Sequence, residues 1–394
     1  MAIITGMLLS EISNVLIVSH YYKRTTSGGG PPQEIRDFFL PRVKKVYYIE
    51  HPFPQADDHR SSMTIYNDGE VEKKIFTKSL KGTPVLFYIF DIFLTFYFLL
   101  SVKKKVDLCI ALDNLNTVNI LPLRKIGIIK KLVFYTIDYN PKRFENKILN
   151  DIYHFLDRAS CYYSDAIWVL SKKMDTTRIK NEVNAKKMTK SILLPMGANL
   201  DRINVLPLNK INRHQLAFTG FLMKKQGVQV VLQALPKVIE KIPDVKFIII
   251  GQGEFEDELK NLSKKLKISK YVDFKGFVKN HTEVENILCK SAVGVATYED
   301  TPDNYTMFTD PGKPKLYLGC GLPVVITGVP HVAKIIASKK AGLKVKYDKE
   351  NVADAIIKLL SDDNLYKSYR ENAINLSKKY NTNSLISEAL DKTN

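Results

Sequence analysis

Cysteine is scarce in this chain, and acidic residues are outnumbered. The 394 residues include four cysteines, which lie far apart and never form a Cys-x-x-Cys pair. This spacing offers neither a disulfide framework nor a zinc site, and reduced, buried thiols are typical of a cytosolic protein. Lys and Arg exceed Asp and Glu by 59 to 41, a net charge of +18. That excess favours anionic partners such as nucleic acid, anionic lipid or phosphorylated substrates.

Three further signals are absent. No nucleic-acid motif or basic tail concentrates the positive charge, which argues against a nucleic-acid partner. The apolar first ten residues lack a basic segment and a cleavage site, so secretion is not predicted. The fingerprint G-x-G-x-x-G does not follow the first predicted strand, which disfavours NAD or FAD. Instead Gly28, Gly29 and Gly30 form a glycine loop, either a close approach to phosphate or sugar or a mobile segment.

One apolar run, from Pro84 to Leu100, is interrupted by Asp91 and Thr95 and is followed by three lysines. It is slightly short for a membrane span and carries a charge in its middle. A helix that is apolar all round is normally buried in a large core. The run therefore predicts a buried helix first, contact with a membrane surface second and a span last.

Strand-like and helix-like segments alternate along the whole chain. This alternation predicts parallel sheets covered by helices, and the length favours two domains. We expect an N-terminal domain at 1–200, a linker at 201–214, a second domain at 215–375 and a C-terminal helix at 376–394. The predicted strands are 15–19, 45–49, 107–112, 132–137, 166–170 and 191–195, then 215–219, 246–250, 271–275, 293–296, 323–327 and 343–345.

Residues 309–325 carry the strongest local signal. A turn rich in Pro, Gly and Lys leads into a predicted helix at 314–320, and a buried strand follows Gly321. A helix N-terminus has unpaired N–H groups and favours anions, and Lys313 and Lys315 add positive charge there. The site predicted is one for nucleotide phosphates. The same residues also make an ordinary helix, with Asp310 as cap and Gly321 as stop.

In parallel α/β sheets, ligands bind beyond the carboxyl ends of the strands. Polar and glycine residues at these ends are therefore candidate ligand contacts, although many such residues only cap or turn the chain. The candidates are Ser19, His20, Glu50, His51, Asp113, Asn114, Asp138 and Ser171 in the first half, and Gly220, Gly251, Gln252, Gly253, Gly276, Tyr298, Glu299 and the Asp310 loop in the second.

The chain resembles a retaining GT-B glycosyltransferase, close to glycosyltransferase family 4. The resemblance covers nearly the whole chain and rests on segments 218–228, 248–253, 272–277 and 321–325, with 164–174 in the first half. It implies two Rossmann-like domains that face each other across a cleft. It also implies transfer of a sugar from a nucleoside diphosphate sugar, without a bound metal or other cofactor.

Several positions depart from the family pattern. Phe221 and Gln226 stand where the family has the Arg and Lys that hold the donor diphosphate, and Leu316 replaces the second of its paired glutamates. A departing pyrophosphate still needs cations, since its negative charge grows during the reaction. A subset of the family has Asp-Pro-x-Lys-x-x-Glu-Tyr at this place, and residues 310–317 match all of it but the Glu.

The resemblance therefore implies a set of site residues. For the donor phosphates they are Gly220, Lys224, Lys225, Gly312, Lys313 and Lys315. For the donor sugar or nucleotide they are Gly251, Gly253, Phe277, Glu299, Asp310 and Tyr317. Asp138 occupies the strand end where many members have a His, so it is the expected catalytic residue, or else a turn cap before Pro141. Arg143 is an acceptor or phosphate contact, or a surface ion pair.

The function expected is that of a hexosyltransferase in cell-surface polysaccharide biosynthesis, cytoplasmic and peripheral to the membrane. The positive charge and the run 84–100 favour a glycan or lipid-linked acceptor at an anionic membrane surface. Two alternatives stay open. One is a catalytically degenerate protein that only binds nucleotide sugar, as the departures suggest. The other is a sugar-nucleotide epimerase, for which the acid and base residues are hard to assemble.

Overall fold

The structure is a computed structural model that describes residues 9–22, 30–102, 105–181, 183–301, 304–307 and 309–393. The chain divides into two compact units, each with one β-sheet. The first unit consists of Met1–Pro195 and Ile386–Asn394, and the second of Met196–Leu385. The α/β class expected from the alternation of strands and helices is confirmed.

The first unit contains an eight-stranded sheet. Its strands are β1 (Asn14–Tyr21), β2 (Lys45–Pro52), β3 (Ser62–Asn67), β4 (Glu70–Phe76), β5 (Val106–Leu112), β6 (Ile129–Thr136), β7 (Ala166–Val169) and β8 (Ser191–Leu193). They lie in the order β4-β3-β2-β1-β5-β6-β7-β8. The pairs β2–β3 and β3–β4 are antiparallel and the others are parallel. All six strands predicted in this half are present.

The hairpin of β3 and β4 was not predicted. Its turn is made by Asp68 and Gly69, both with positive φ (50° and 84°), which is a common hairpin signal. Strand β4 lies at the edge of the sheet and is exposed along nearly its whole length. Its sequence is therefore charged rather than apolar, and hydrophobic periodicity does not reveal it.

In the described part of the first unit, five α-helices connect the strands. They are α1 (Pro31–Phe39), α2 (Pro84–Leu99), α3 (Asn114–Lys125), α4 (Lys147–Tyr163) and α5 (Lys172–Lys180). The prediction that the run 84–100 is buried is wrong, because α2 buries only Phe87, Asp91, Thr95 and Phe98. Across the described ranges, we find no helix with the length and hydropathy needed to cross a membrane.

The second unit contains a six-stranded parallel sheet. Its strands are β9 (Gln215–Thr219), β10 (Lys246–Ile250), β11 (Val272–Gly276), β12 (Val293–Ala296), β13 (Val324–Thr327) and β14 (Gly342–Val345), in the order β11-β10-β9-β12-β13-β14. Its helices are α6 (Val228–Lys241), α7 (Glu256–Lys265), α8 (His281–Cys289), α9 (Lys313–Gly319), α10 (Val332–Ser338), α11 (Lys349–Ser361) and α12 (Asp363–Ser377). Every strand predicted in this half is present, and most of them are short apolar runs, whereas β11 contains Asp273 and Lys275.

The boundary between the units lies at Pro195, slightly before the expected end at residue 200. The reason is that Ala198 belongs to the second unit, where it pairs with Tyr380 and Thr382 (N–O distances of 2.8 and 3.0 Å). Helix α13 (Thr382–Lys392) follows, and its residues from Ile386 onward belong to the first unit. There Thr393 accepts a hydrogen bond of 2.9 Å from the indole N–H of Trp168.

Candidate functional site

Two glycine loops pack against each other at the carboxyl ends of β9 and β10. Gly220 and Gly251 have φ values of 142° and 137°, which side chains rarely adopt. A Cβ on Gly251 would lie 1.9 Å from the carbonyl oxygen of Gly220, and one on Gly253 would lie 2.1 Å from that of Leu222. Backbone contact therefore requires glycine here, independently of the ligand contacts predicted for these three glycines.

Lys313, the first residue of α9, reaches over the Gly220 loop. Its Nζ donates a hydrogen bond to Oε1 of Gln226 and lies 4.1 Å from the centre of the Phe218 ring and 5.3 Å from that of Tyr298. A Cβ on Gly220 would lie 3.1 Å from this Nζ. Burial lowers the pKa of Lys313 to about 7. The amino group of Lys313 thus lies against the Gly220 loop and is held there by Gln226.

Lys315 and Asp310 are used differently from the prediction. Lys315 is fully buried, and its Nζ pairs with Asp310 Oδ1 and donates to the carbonyl oxygen of Pro311 at 3.0 Å. The other carboxylate oxygen of Asp310 accepts from the backbone N–H of Met196 at 3.0 Å. Both side chains therefore brace the turn before α9. As placed, Lys315 cannot contact phosphate, and this corrects the expectation.

Tyr317 is also fully buried. Its hydroxyl accepts a hydrogen bond of 2.9 Å from the backbone N–H of Thr219, the last residue of β9. Its ring lies under Gly294, where a Cβ would approach it to 2.5 Å. The expected contact of Tyr317 with the donor does not fit this burial. Its place in the structure is to support the end of β9, directly before the Gly220 loop.

The loop after β12 carries Glu299 beside the loop after β9. The backbone N–H of Glu299 donates to the carbonyl oxygen of Lys225 at 3.1 Å. The buried side chain of Asn304 donates to the carbonyls of both residues, at 3.1 Å for Lys225 and 2.8 Å for Glu299. Asn304 was not predicted, because nothing in the sequence distinguishes it beyond its position in a strand-end loop. Lys224 is exposed.

The second unit therefore gathers most of the predicted donor residues at one edge of its sheet. Gly220 lies against both Gly251 and Lys313, and Lys225 adjoins Glu299. Gly312 precedes Lys313, and a Cβ on it would lie 3.1 Å from the side chain of Met196. Phe277 follows β11 and is about half exposed.

In the first unit, Asp138 lies just beyond β6 and pairs with Arg143 at 2.7 Å. Asp113, just beyond β5, has a φ of 71°, a strained value for a residue other than glycine. Burial, and then the charge of Asp138, raise the pKa of Asp113 to about 6. The two carboxylates thus share one electrostatic environment, which could not be inferred from residues that stand so far apart in sequence.

A buried network links β1 and β2 to α2. Asn116 Nδ2 donates to His20 Nδ1 at 3.1 Å, which leaves Nε2 of His20 to donate to Asp91 at 3.0 Å. His51 lies 3.3 Å from the same carboxylate, and burial lowers its pKa to about 4. His51 is therefore neutral near pH 7, bonded to the hydroxyls of Ser61 and Thr95.

Three further predictions concern the N-terminal glycine loop, the cysteines and metal binding. Gly30 precedes α1, whereas Gly28 and Gly29 lie outside the described residues. All four cysteines are buried thiols. Within the part of the chain that the structure describes, no cluster of His, Cys, Asp or Glu has the arrangement of a metal site.

The second unit matches a known family. Residues 213–362 match the family model of Glycosyl transferases group 1. An uncharacterized glycosyltransferase of Methanocaldococcus jannaschii is 31% identical over 167 residues, which make up 42% of this chain and 39% of that protein. The chain spans about two fifths to three fifths of the length of the curated relatives it matches first.

Solved structures match nearly the whole chain. Sucrose-phosphate synthase from Thermosynechococcus elongatus has a TM-score of 0.68 at 14% identity, over 95% of this chain and 96% of that chain. HepE of Anabaena, solved with UDP and glucose, has a TM-score of 0.67 at 16% identity, over 96% of this chain and all of that chain (100%). The fold is therefore GT-B, as expected, and its residues 213–362 match the Glycosyl transferases group 1 family.

Proposed function

We propose that the chain is a glycosyltransferase that moves a hexosyl group from a nucleoside diphosphate sugar to an acceptor, with retention of anomeric configuration. The acceptor is a membrane-associated glycan or a lipid-linked one, handled at the cytoplasmic face of the membrane in cell-surface polysaccharide synthesis. No metal or other cofactor takes part. The family match over 213–362 and the UDP held by the neighbour HepE support this proposal.

The observation that carries the proposal is the position of Lys313. Its Nζ lies against the Gly220 loop, at the carboxyl end of the parallel sheet where α/β proteins bind ligands. The family places an Arg and a Lys in this loop, and this chain has Phe221 and Gln226. Gln226 instead holds the Lys313 ammonium. Lys313 thereby supplies a cation for the donor diphosphate, and Lys224 and Lys225 stand at the same loop.

In a retaining transfer, the bond from the anomeric carbon to the diphosphate breaks as the acceptor oxygen bonds to the same face. The departing phosphate oxygen takes the acceptor proton, so a separate base is not needed. Growing charge on the diphosphate is stabilised by the lysines at its loop. On the acceptor side, the carboxylate of Asp138 stabilises positive charge at the anomeric carbon, and Arg143 orients that carboxylate through their 2.7 Å contact.

The test is a thermal-shift screen with UDP-, GDP-, dTDP- and ADP-sugars on wild type and Lys313→Ala. A ligand at a hundred times its Kd stabilises the folded state by about 2.7 kcal/mol, which is visible as a melting shift. We expect one nucleotide to give the shift, Lys313→Ala to lose it, and the exposed-lysine control Lys264→Ala to keep it. A shift shared by Lys313→Ala would contradict the site.

A turnover assay with the donor found by the screen separates the alternatives. A protein that binds the donor but never releases nucleoside diphosphate, with any membrane extract as acceptor source, is a nucleotide-sugar-binding protein. The exposed Phe221 would then explain the lack of transfer, because it stands where the family has an Arg. Conversion of the bound sugar into its epimer without transfer would identify an epimerase.

A further inference from the structure

Helix α2 exposes a broad apolar side and buries Asp91 and Thr95 together with Phe87 and Phe98, which is unusual for a helix on a water-facing surface. Such helices turn their apolar side inward and their polar side to solvent. In α2 the polar residues Asp91 and Thr95 are fully buried, whereas Phe93 is 66% exposed and Leu100, just past the helix, is 84% exposed. The large apolar side chains exposed here are Val85, Leu86, Ile89, Phe90, Phe93, Tyr97 and Leu100.

The orientation of α2 is fixed by its inner side. The carboxylate of Asp91 binds His20 at 3.0 Å and adjoins His51 at 3.3 Å, and Thr95 bonds to His51 at 2.9 Å. Rotation of the helix to bury its apolar side would break these hydrogen bonds and leave their polar groups unpaired. The fold therefore holds the apolar side outward. A surface that exposes this many large apolar side chains together is typical of an interaction site.

The charges around α2 indicate what covers it. Between residues 77 and 105 the only acidic residue in the sequence is Asp91, which is buried, so every charge that the described part of this segment exposes is basic. The exposed lysines described there are Lys78, Lys81 and Lys105. A helix of 16 residues is about 24 Å long, and within the described residues none is fit to cross a membrane. An apolar face between basic flanks is the pattern of a helix that lies in an anionic membrane surface.

We propose that the outward face of α2 docks on an anionic lipid bilayer, with the helix lying in the plane of the interface. Its aromatic and aliphatic side chains enter the boundary of headgroups and acyl chains, and the flanking lysines contact anionic headgroups. This docking would hold the protein at the membrane that carries its acceptor, and in that respect the proposal rests on the proposed function. The binding itself needs no donor sugar, so its test is independent of the thermal-shift screen.

The experiment is co-sedimentation of the full chain with vesicles at low salt. Vesicles of phosphatidylcholine and phosphatidylglycerol in equal parts are compared with vesicles of phosphatidylcholine alone. We expect binding to the anionic vesicles and little to the neutral ones. Phe93→Ser with Tyr97→Ser removes two exposed apolar groups and should weaken binding at least tenfold. Lys78→Gln with Lys81→Gln and Lys105→Gln should reduce the preference for anionic vesicles by about tenfold.

The matched control is Ile152→Ser with Phe155→Ser on α4, which also removes two exposed apolar groups but from a helix with interspersed charges. We expect a loss of less than about threefold, and unchanged melting temperatures for all variants. Equal losses in the α2 and α4 variants would overturn the assignment to α2, as would absence of vesicle binding by wild type. A wild-type dimer that Phe93→Ser with Tyr97→Ser dissociates, seen by sedimentation velocity without vesicles, would identify a second copy as the occupant instead.

Discussion

The role proposed for Lys313 needs a positive charge, and the environment of this side chain opposes that charge. Burial lowers its pKa from 10.5 to about 7, so near neutral pH the side chain is only partly protonated in the unliganded protein. Because the folded pKa is lower than the unfolded one, the unfolded chain binds more protons between pH 7 and pH 10.5. In that window the contribution of Lys313 makes the free energy of unfolding rise with pH. An anion at the loop favours the charged form and raises this pKa again.

Binding of a nucleotide sugar should therefore weaken as pH rises. The donor diphosphate does not titrate between pH 6.5 and 8.5, whereas Lys313 loses its proton in that range. We expect the affinity for the donor found by the screen to fall about tenfold from pH 6.5 to 8.5. Isothermal titration calorimetry measures this, together with proton uptake on binding. Lys313→Gln should bind weakly with a flat pH profile; a steep profile in that variant would assign the titration to another group.

At the scale of the element, α2 shows how one buried carboxylate sets the direction of a helix. Asp91 is the only charged residue among the 16 of α2, and it points inward between two histidines. A charge is costly to bury unless it is paired and hydrogen-bonded, and His20 supplies that bond. The many apolar side chains of α2 predicted its burial. Most of them lie on its outer side, because Asp91 and Thr95 occupy much of the inner side.

Removal of this carboxylate should destabilise the first unit. In Asp91→Ala the Nε2–H of His20 loses its acceptor while it stays buried, which costs about 2 kcal/mol of unfolding free energy. Denaturant unfolding followed by the fluorescence of Trp168, the single tryptophan, measures the first unit. Asp151→Ala, at an exposed carboxylate on α4, is the control and should change stability by less than about 0.5 kcal/mol. Equal effects would argue against the network.

At the scale of the whole molecule, the end of the chain completes the first unit. After crossing the second unit, the chain returns at Ile386, and Ile386, Ala389 and Leu390 are buried there. Thr393 Oγ1 accepts from the Trp168 indole at 2.9 Å and donates to the carbonyl of Ala389 at 2.7 Å. The stability of the first unit thus depends on residues nearly two hundred positions away from its own last strand.

Thr393→Val tests this dependence with little change of shape. The Trp168 N–H then has no acceptor at Thr393, and the first unit should lose about 1 to 2 kcal/mol of stability. The emission of Trp168 should change with it, while the melting shift given by nucleotide sugar should stay as in wild type. Lys392→Ala, one residue earlier, is the control. An unchanged emission spectrum and stability in Thr393→Val would show that the contact contributes nothing.

Much of the architecture was predictable from short segments. The parallel strands of both sheets were predicted because most of them are short apolar runs, and such runs are visible without tertiary contacts. The positions of Gly220, Gly251 and Gly253 in loops at strand ends were also predicted, since a glycine directly after an apolar run is visible locally. The β3–β4 hairpin was missed because β4 faces solvent at a sheet edge and carries a charged sequence.

The sequence by itself determined the alternation of strands and helices, the GT-B class and the loops at which a donor is expected. The tertiary structure alone decided how the polar side chains of those loops are used. It paired Lys315 with Asp310, buried Tyr317 beneath β9, placed Gln226 on Lys313 and turned Asp91 toward His20. The reason is physical: strand and helix preferences depend on near neighbours in the chain, whereas burial and pairing of a charge depend on residues that only folding brings together.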